Sequence, residues 1–392
     1  MKPRKIRDDV YWMGSVDWDS RLFDALIPLP DGTSYNAYFI KGTERSVLID
    51  TVDPPKAQEL MEQLKEIQRL DYIISLHAEQ DHAGTLPHVL QKFPEARIIA
   101  TPKGKNLLMQ HLDLPEHKIH CVDDGEALSL GDKTLTFIHT PWVHWPETMV
   151  AYLNTDKILF SCDFMGSHYA ASDLYVTDQG VIYEAAKRYF AEILMPFRPM
   201  VKRNLEKLKA YDIEMIAPSH GQIYPDPSFI LDAYKVWTEG IPRNTVVIPY
   251  VSMHGSTGQM VDYLVSALVE RDVRAEQFNL AVTDIGKLAC SLVDAATIVV
   301  GTPTVLAGPH PYAAYAAFLA NALKPTTQFV SIIGSFGWGG KTVEVLAGML
   351  PNLKAEIIDP VLCKGKPGEI AYQELDQLAD TIAAKHQERG YS

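Results

Sequence analysis

The stretch that decides the fold is a hexapeptide rich in metal-binding residue types, His77-Ala78-Glu79-Gln80-Asp81-His82. It follows directly on an apolar run that ends at Leu76 and opens into a turn. Side chains at the carboxyl end of a strand converge in the crevice there, so alternating His77, Glu79 and Asp81 are expected to reach one or two metal ions from an extended loop. A solvated polar loop would have the same composition, and the hexapeptide alone leaves both interpretations open.

Three later residues of the same ligand types each follow a strand-like segment and precede a turn: His144, Asp163 and His220. Buried carboxylates and imidazoles are costly unless they are paired or bind a metal, so their repetition at strand ends favours a shared site. Together with the hexapeptide they make seven candidate ligands, three of which are carboxylates. That number is too large for a closed tetrahedral zinc site and suits two ions bridged by a carboxylate.

The composition is typical of an ordinary globular protein. The chain has 392 residues, which is long enough for two or three domains at roughly 150 residues each. Acidic residues outnumber basic ones by 49 to 36, which argues against binding to nucleic acid or to a membrane surface. The four cysteines form no C-x-x-C pair, so neither a disulfide framework nor a thiolate metal site is expected. The basic start lacks an apolar stretch behind it; no secretory signal is expected, and a cytoplasmic location is predicted.

Residue usage divides the chain into two parts. Ten of the 13 histidines lie at or before His220, whereas the glycine- and hydroxyl-rich loops lie after Thr245. In the first part β-rich runs alternate with helical stretches, and this pattern predicts a mixed α/β domain with sizeable sheets. Turn-rich segments at residues 224–227 and 240–244 place the boundary between domains 1–243 and 244–392.

From Val246 onward, strands, Gly/Ser/Thr-rich loops and helices alternate, the pattern of a parallel sheet covered by helices. The first such loop precedes a helix whose N-terminus could cradle a phosphate, although an ordinary βα turn has similar residues. No GxGxxG fingerprint follows a strand, so NAD(P) is not expected. The candidate loop residues are Ser252, Met253, His254, Gly255, Ser256 and Thr257, then Thr302, Pro303, Thr304 and Val305, and finally Ser335, Phe336, Gly337, Trp338, Gly339 and Gly340.

The order H-x-[EH]-x-D-H, then His, Asp and His, resembles the metallo-β-lactamase superfamily, whose hydrolase members usually have a second histidine at the position of Glu79. An oxygen ligand there shifts the preference from zinc toward iron, and this replacement is the mark of the flavodiiron proteins. The resemblance runs along nearly the whole chain and includes Trp18-Asp19, Tyr35-Asn36-Ala37-Tyr38, His144-Trp145-Pro146-Glu147 and Asp163-Phe164-Met165-Gly166-Ser167-His168.

The resemblance implies an α/β fold in which an N-terminal metallo-β-lactamase-like αββα sandwich is followed by a flavodoxin-like, doubly wound parallel sheet. It implies two irons per chain and FMN bound by the three loops. One iron would be held by His77, Glu79 and His144 and the other by Asp81, His82 and His220, with Asp163 bridging them and His168 lying behind the ligands.

The implied activity is the reduction of dioxygen to water, of nitric oxide to nitrous oxide, or of both. Electrons would pass through FMN from an external donor, which is rubredoxin, the reduced deazaflavin F420H2 or another redox protein, and the protein would be a head-to-tail homodimer or a dimer of dimers. The main alternative is a zinc hydrolase fused to a flavodoxin-like module, which would use a metal-activated hydroxide. A redox-sensing or electron-carrying flavoprotein would require loss of metal ligands, and all seven positions are filled.

Overall fold

The protein, in a computed structural model that describes residues 2–391, divides into two compact units. The first comprises the chain up to Tyr189 together with Phe197–Thr238, and the second comprises Phe190–Pro196 and the chain from Glu239 onward. The inserted segment contains a π-helix, Phe190–Leu194, which the sequence analysis did not anticipate. In the part of the chain that the structure describes, no helix has the length and apolar character needed to cross a membrane.

The first unit is built on two main β-sheets. The larger has seven strands and is antiparallel at one edge and parallel at the other, with the spatial order Arg4–Arg7, Val10–Trp12, Tyr38–Lys41, Ser46–Ile49, Tyr72–Ile74, Arg97–Ala100 and Ile119–Cys121. The smaller has five strands, of which the last pair is parallel, with the order Ala127–Ser129, Thr134–His139, Met149–Leu153, Ile158–Cys162 and Met215–Pro218.

Successive side chains of the larger sheet's strands belong alternately to two apolar cores. Val47 and Ile49 of the larger sheet join a cluster that also contains Phe137 and Phe160 of the smaller sheet. Leu48, between them, belongs to a second cluster on the opposite face of the larger sheet, because successive strand residues point to opposite faces. That second cluster includes residues of the helices Ala57–Gln63, Leu86–Lys92 and Pro102–Leu112.

The outer side of the smaller sheet is also covered by helix. Lys207, in the helix Arg198–Leu208, donates a hydrogen bond to the carbonyl oxygen of His139 at 2.8 Å. Helices on both sides of two stacked sheets agree with the predicted αββα sandwich. The remaining elements of this unit are Ser15–Asp17, Leu22–Phe23, Ile27–Pro28, Thr33–Tyr35, Pro54–Lys56, Leu64–Glu66, Gln80–Ala83, Glu116–Lys118, Gln179–Tyr189 and Ser228–Glu239. The last of these helices ends at Glu239, the first residue of the second unit's main segment. The short helix Met195–Phe197 lies where the inserted segment returns to the first unit.

The second unit contains a parallel sheet whose strands run in the spatial order Arg274–Asn279, Arg243–Tyr250, Ala295–Gly301 and Phe329–Phe336, the last of which pairs with both Glu356–Ile357 and Val361–Lys364. Numbered along the chain this order is 2-1-3-4-5, which is that of flavodoxin-like doubly wound sheets. The helices are Ser256–Val269, Ile285–Leu292, Pro311–Leu323, Thr342–Gly348 and Glu369–Glu388, and a small hairpin joins Thr304–Val305 to Gly308–Pro309.

A buried histidine attaches the last helix to this sheet. The Nε2 atom of His386 lies 2.7 Å from Thr297 Oγ1, and its Nδ1 atom lies 2.8 Å from the side-chain oxygen of Asn244. The neutral ring satisfies both partners when Nδ1–H donates to Asn244 and Nε2 accepts from Thr297. Burial disfavours the charged ring and lowers the pKa of His386 to about 4.

This contact predicts a pH-dependent stability. The folded pKa lies below the value of about 6.5 expected in the unfolded chain, so the contribution of His386 is complete above that pH and decreases as the pH falls toward 4. We expect His386→Gln to lower the free energy of unfolding by about 1–2 kcal/mol at pH 7.5, as for other buried hydrogen bonds, and by less at pH 4.5. Urea unfolding followed by circular dichroism tests this, with the exposed His117→Gln as the control; an equal loss at both pH values would contradict it.

Candidate functional site

The candidate ligands meet at one end of the two sheets of the first unit. The hexapeptide follows the strand Tyr72–Ile74 of the larger sheet. Asp163 and His220 follow strands of the smaller sheet, and His144 precedes its strand Met149–Leu153. Residues from distant parts of the sequence therefore share one buried site.

Part of the hexapeptide differs from the expected extended loop. Asp81 and His82 lie in a single helical turn, Gln80–Ala83, that begins with backbone hydrogen bonds to the carbonyl oxygen of Glu79. The turn ends where the backbone N–H and the hydroxyl of Thr51 both donate to the carbonyl oxygen of His82. The expectation of an extended loop was wrong because these local hydrogen bonds close the turn.

One cluster combines His77, Glu79, His144 and Asp163, whose ligand atoms all lie within 4.8 Å of one another. The Nε2 atoms of His77 and His144 are each 3.0 Å from Glu79 Oε2. The same two nitrogens lie 3.5 and 3.3 Å from Oδ2 of Asp163. Two imidazoles and two carboxylates thus face a common point.

The second cluster combines Asp81, His82 and His220. The Nε2 atoms of His82 and His220 lie 3.3 and 3.1 Å from Asp81 Oδ2. The same nitrogens lie 2.9 and 3.4 Å from Oδ1 of Asp163. Asp163 therefore turns one carboxylate oxygen toward each cluster, which is the geometry of a ligand shared by two ions.

Unsatisfied polar atoms provide a test of whether a cation fits. Both carboxylate oxygens of Asp81 and of Asp163, and both ring nitrogens of His82, are buried without a hydrogen bond of acceptable geometry. Such atoms are rare in folded proteins unless they bind an ion or water. Three carboxylates, four imidazoles and no thiolate form a donor set that suits iron.

The electrostatics of the site also call for positive charge. Burial alone would lower the pKa of each imidazole, but the neighbouring carboxylates outweigh it and raise the pKa of His77 and His220 to about 10 and that of His82 and His144 to about 9. Burial likewise opposes ionisation of Asp163, yet the imidazoles hold its pKa well below the ordinary value. Protons on the imidazoles or bound metal ions can supply the positive charge that balances these carboxylates.

A buried carboxylate joins the two sheets behind the site. Asp50 accepts hydrogen bonds from the backbone N–H of Leu76 at 2.8 Å and from the hydroxyl of Ser219 at 3.1 Å. These residues immediately precede His77 and His220, so one side chain fixes the positions of two ligand-bearing segments. A third group of ligand-type residues includes Asp50 with His82 and Cys162, but both oxygens of Asp50 are already occupied by hydrogen bonds.

His168 lies beside the second cluster. Its ring is 4.9 Å from the ring of His220, and its Nδ1 atom lies 2.9 Å from Thr33 Oγ1. Burial keeps the pKa of His168 well below its ordinary value, so the ring is neutral. His168 therefore lies beside a candidate ligand, His220.

Two groups that orient the imidazoles were not identified from the sequence. The carbonyl oxygen of Ser34 lies 2.8 Å from Nδ1 of His220, and Glu147 Oε1 lies 2.7 Å from Nδ1 of His77. A backbone carbonyl leaves no signature in residue type. Glu147 stands in the stretch that also contains His144, which was the one available signal.

The clusters are reached through a cavity of about 500 Å³. The residues that line it include Glu79 and Asp81 and the aromatic side chains Phe23, Tyr35 and Trp145. The ring of Trp145 stands perpendicular to that of His77 with 4.9 Å between centroids. The site is therefore open to a small molecule and bordered by aromatic side chains.

In the second unit, hydrogen bonds join the predicted flavin loops. The hydroxyl of Ser252 accepts from the backbone N–H of Gly258 at 3.0 Å, and Thr257 Oγ1 lies 3.4 Å from Ser335 Oγ. The second loop contributes Thr304, whose hydroxyl lies 2.8 Å from that of Thr342. All three loops lie at the carboxyl ends of the parallel strands, where doubly wound sheets bind ligands.

The same loops have room for a planar cofactor. The helix Ser256–Val269 starts after Gly255, which adopts a left-handed φ of 91°, so its first N–H groups can bind a phosphate. A Cβ atom added at Gly337 or Gly339 would meet nothing within 4 Å, and the Trp338 side chain is 77% exposed. These features fit the predicted FMN.

Comparison with known proteins agrees with both halves of this description. Residues 33–221 match the family model described as ODP family beta lactamase. The chain is 34% identical to a protein from Moorella thermoacetica named nitric oxide reductase, with 91% of this chain and 92% of that protein covered.

Solved structures give the same result over the whole chain. Rubredoxin oxygen:oxidoreductase from Desulfovibrio gigas superposes with a TM-score of 0.96 at 30% identity, covering 100% of both chains. The flavodiiron protein from Giardia intestinalis superposes with a TM-score of 0.94 at 27% identity, covering 100% of this chain and 99% of that one. The chain belongs to the flavodiiron protein family.

Proposed function

We propose that this protein is a cytoplasmic oxidoreductase that reduces dioxygen to water, nitric oxide to nitrous oxide, or both, at two irons per chain. The observation that carries the proposal is the orientation of Asp163, whose two oxygens face two different sets of ligands. The names of the similar proteins, a nitric oxide reductase and a rubredoxin oxygen:oxidoreductase, support the same chemistry. The domain boundary between residues 243 and 244 belongs to this proposal.

The proposed ligand sets follow the two clusters. His77, Glu79 and His144 would hold one iron, Asp81, His82 and His220 the other, and Asp163 both. When bound, the iron pair supplies two electrons and FMN two more, enough to reduce one O2 with four protons to two waters or, with two electrons and two protons, two NO to N2O and water.

Two further carboxyls line the cavity beside the candidate ligands. Burial raises the pKa of Asp24 and Asp53, and repulsion from nearby carboxylates such as Asp81 adds to this in the metal-free protein. Phe23 and Trp145 contribute aromatic surface to the same cavity. The cavity beside the site is thus lined by both carboxyl and aromatic side chains.

FMN would bind at the three loops of the second unit, with its phosphate at the first N–H groups of the helix Ser256–Val269 and its ring near Trp338. Its electrons would come from an external donor, either rubredoxin, F420H2 or another redox protein. The Desulfovibrio gigas enzyme is named for rubredoxin, which supports a donor of that kind.

We further propose a head-to-tail homodimer, alone or paired into a dimer of dimers. The helix Pro311–Leu323 presents Tyr312, Tyr315 and Phe318 to solvent at three-residue spacing, and the Phe318 side chain is 62% exposed. Residues at this spacing share one side of a helix. Exposed apolar stripes of this kind usually mark a protein contact, and a second copy would cover it.

The proposed activity predicts a defined cofactor content. Protein from iron-replete cells should contain about two irons and one FMN per chain and should consume O2 or NO when supplied with a reduced donor. Asp163→Asn should lose iron and reduce turnover to background while keeping FMN, because the flavin loops lie in the other unit. Elemental analysis, flavin release and gas-consumption assays measure these quantities, and zinc without flavin would instead indicate the hydrolase.

The raised imidazole pKa values predict proton release on metal binding. All four ligand histidines have pKa values above 7 without metal, so at pH 7 each is protonated and must lose its proton to bind iron. Anaerobic addition of ferrous ion to the apoprotein should release up to four protons per chain at pH 7, and iron affinity should fall as the pH decreases. A pH-indicator titration measures the release. Tight iron binding without proton release would show that these histidines are neutral in the apoprotein and would contradict their raised pKa values.

The proposed dimer predicts a sensitive position on its exposed helix. Phe318→Glu should convert the protein to a monomer in sedimentation velocity, because a buried charge at an apolar contact is costly. It should also reduce turnover by more than about tenfold, because in the proposed head-to-tail dimer the FMN of one chain would approach the iron pair of the other. Val282→Glu, at another exposed apolar side chain, should leave the dimer intact. A wild-type monomer with full turnover would overturn the homodimer.

A further inference from the structure

We infer that Glu147 is a positioning residue that fixes the ring of His77 and makes the two halves of the metal site electronically unequal. The inference rests on the proposed function because it assigns a role relative to the two irons. It concerns a carboxylate that would contact no metal itself, since its partner is the ring nitrogen of His77 that faces away from the cluster.

The contact is short and fully enclosed. Glu147 is 3% exposed and His77 is 0% exposed, and Glu147 Oε1 lies 2.7 Å from His77 Nδ1. The same oxygen accepts the backbone N–H of Ala78 at 3.1 Å. Nδ1 therefore carries the hydrogen of a neutral His77, and Nε2, which faces Glu79 and Asp163, is left as the metal-binding atom.

The position of Glu147 is itself determined by a helix start. Its backbone carbonyl accepts a 2.8 Å hydrogen bond from the hydroxyl of Thr101, the N-cap residue of the helix Pro102–Leu112. That hydroxyl also accepts the backbone N–H of Gly104. A Cβ atom at Gly104 would lie 3.5 Å from Cγ of Glu147, so the first helical turn packs directly against the carboxylate-bearing side chain.

Within residues 2–391, no carboxylate forms an equivalent hydrogen bond to an imidazole of the second cluster: Asp50 lies within 4.8 Å of His82, but its oxygens accept from Leu76 and Ser219. Nδ1 of His220 lies 2.8 Å from the carbonyl oxygen of Ser34, which is uncharged, and Nδ1 of His82 has no hydrogen-bond partner. A carboxylate behind an imidazole raises its basicity as a ligand. The iron bound by His77 would therefore receive more electron density and have the lower reduction potential of the two.

The experiment compares wild-type holoprotein with Glu147→Gln, which retains a carbonyl oxygen to accept from His77 and removes the charge. Iron retained during dialysis against a chelator and the reduction potentials of the iron pair are measured. We expect iron affinity to fall by about 10- to 100-fold, the usual effect of losing such a partner, and one potential to become more positive while the other changes less. FMN content should be unchanged.

Controls separate this role from simple packing. Glu116→Gln removes an exposed carboxylate that pairs with Lys105, a residue of the helix Pro102–Leu112 that packs against Glu147. This variant should leave both iron measurements unchanged. Glu147→Asp keeps the charge, so its iron affinity and reduction potentials should be closer to those of the wild type than the values of Glu147→Gln are. Wild-type affinity and potentials in Glu147→Gln would overturn the inference. If wild-type protein itself bound no iron, the proposed function would fail first.

Discussion

The structure of the first unit depends on a single buried carboxylate surrounded by imidazoles. Asp163 is 1% exposed, and four histidine Nε2 atoms lie within 3.5 Å of its two oxygens. An isolated charge at that depth would be strongly unfavourable. The surrounding sheets must therefore hold its partners in place, and this requirement explains why the ends of strands from both sheets converge there.

Backbone geometry at these strand ends is unusual for the same reason. Cys162, directly before Asp163, has a φ of 53°, and Asp50 has a φ of 54°. Left-handed conformations of residues other than glycine cost of order 1–3 kcal/mol and persist where the surrounding structure determines them. Here the hydrogen bonds that Asp50 accepts from Leu76 and Ser219, directly before His77 and His220, provide that constraint. The strained backbone at these two residues thus lowers stability locally, at the strand ends that carry the ligands.

Sequence could predict that these ligand-type side chains share one site, and it could predict the two folds, because both leave periodic or local signatures. Alternation at Val47, Leu48 and Ile49, and glycine-rich loops after parallel strands, are such patterns. The helical turn at Asp81, the carbonyl of Ser34 and the inserted segment Phe190–Pro196 could not be predicted. The turn is closed by local backbone hydrogen bonds to Glu79 that no residue type in the hexapeptide marks. The other two depend on contacts between residues far apart in sequence.

Charge balance gives Glu147 a further significance. Glu79, Asp81 and Asp163 would contribute three negative charges against four positive charges on two ferrous ions, leaving one positive charge in a buried site. Among carboxylates that contact a ligand imidazole, Glu147 supplies the fourth negative charge, 2.7 Å behind His77. A low local dielectric makes such compensation effective. Because Glu147 forms its hydrogen bond with an imidazole of only one cluster, the residue that balances the site also makes its two halves unequal.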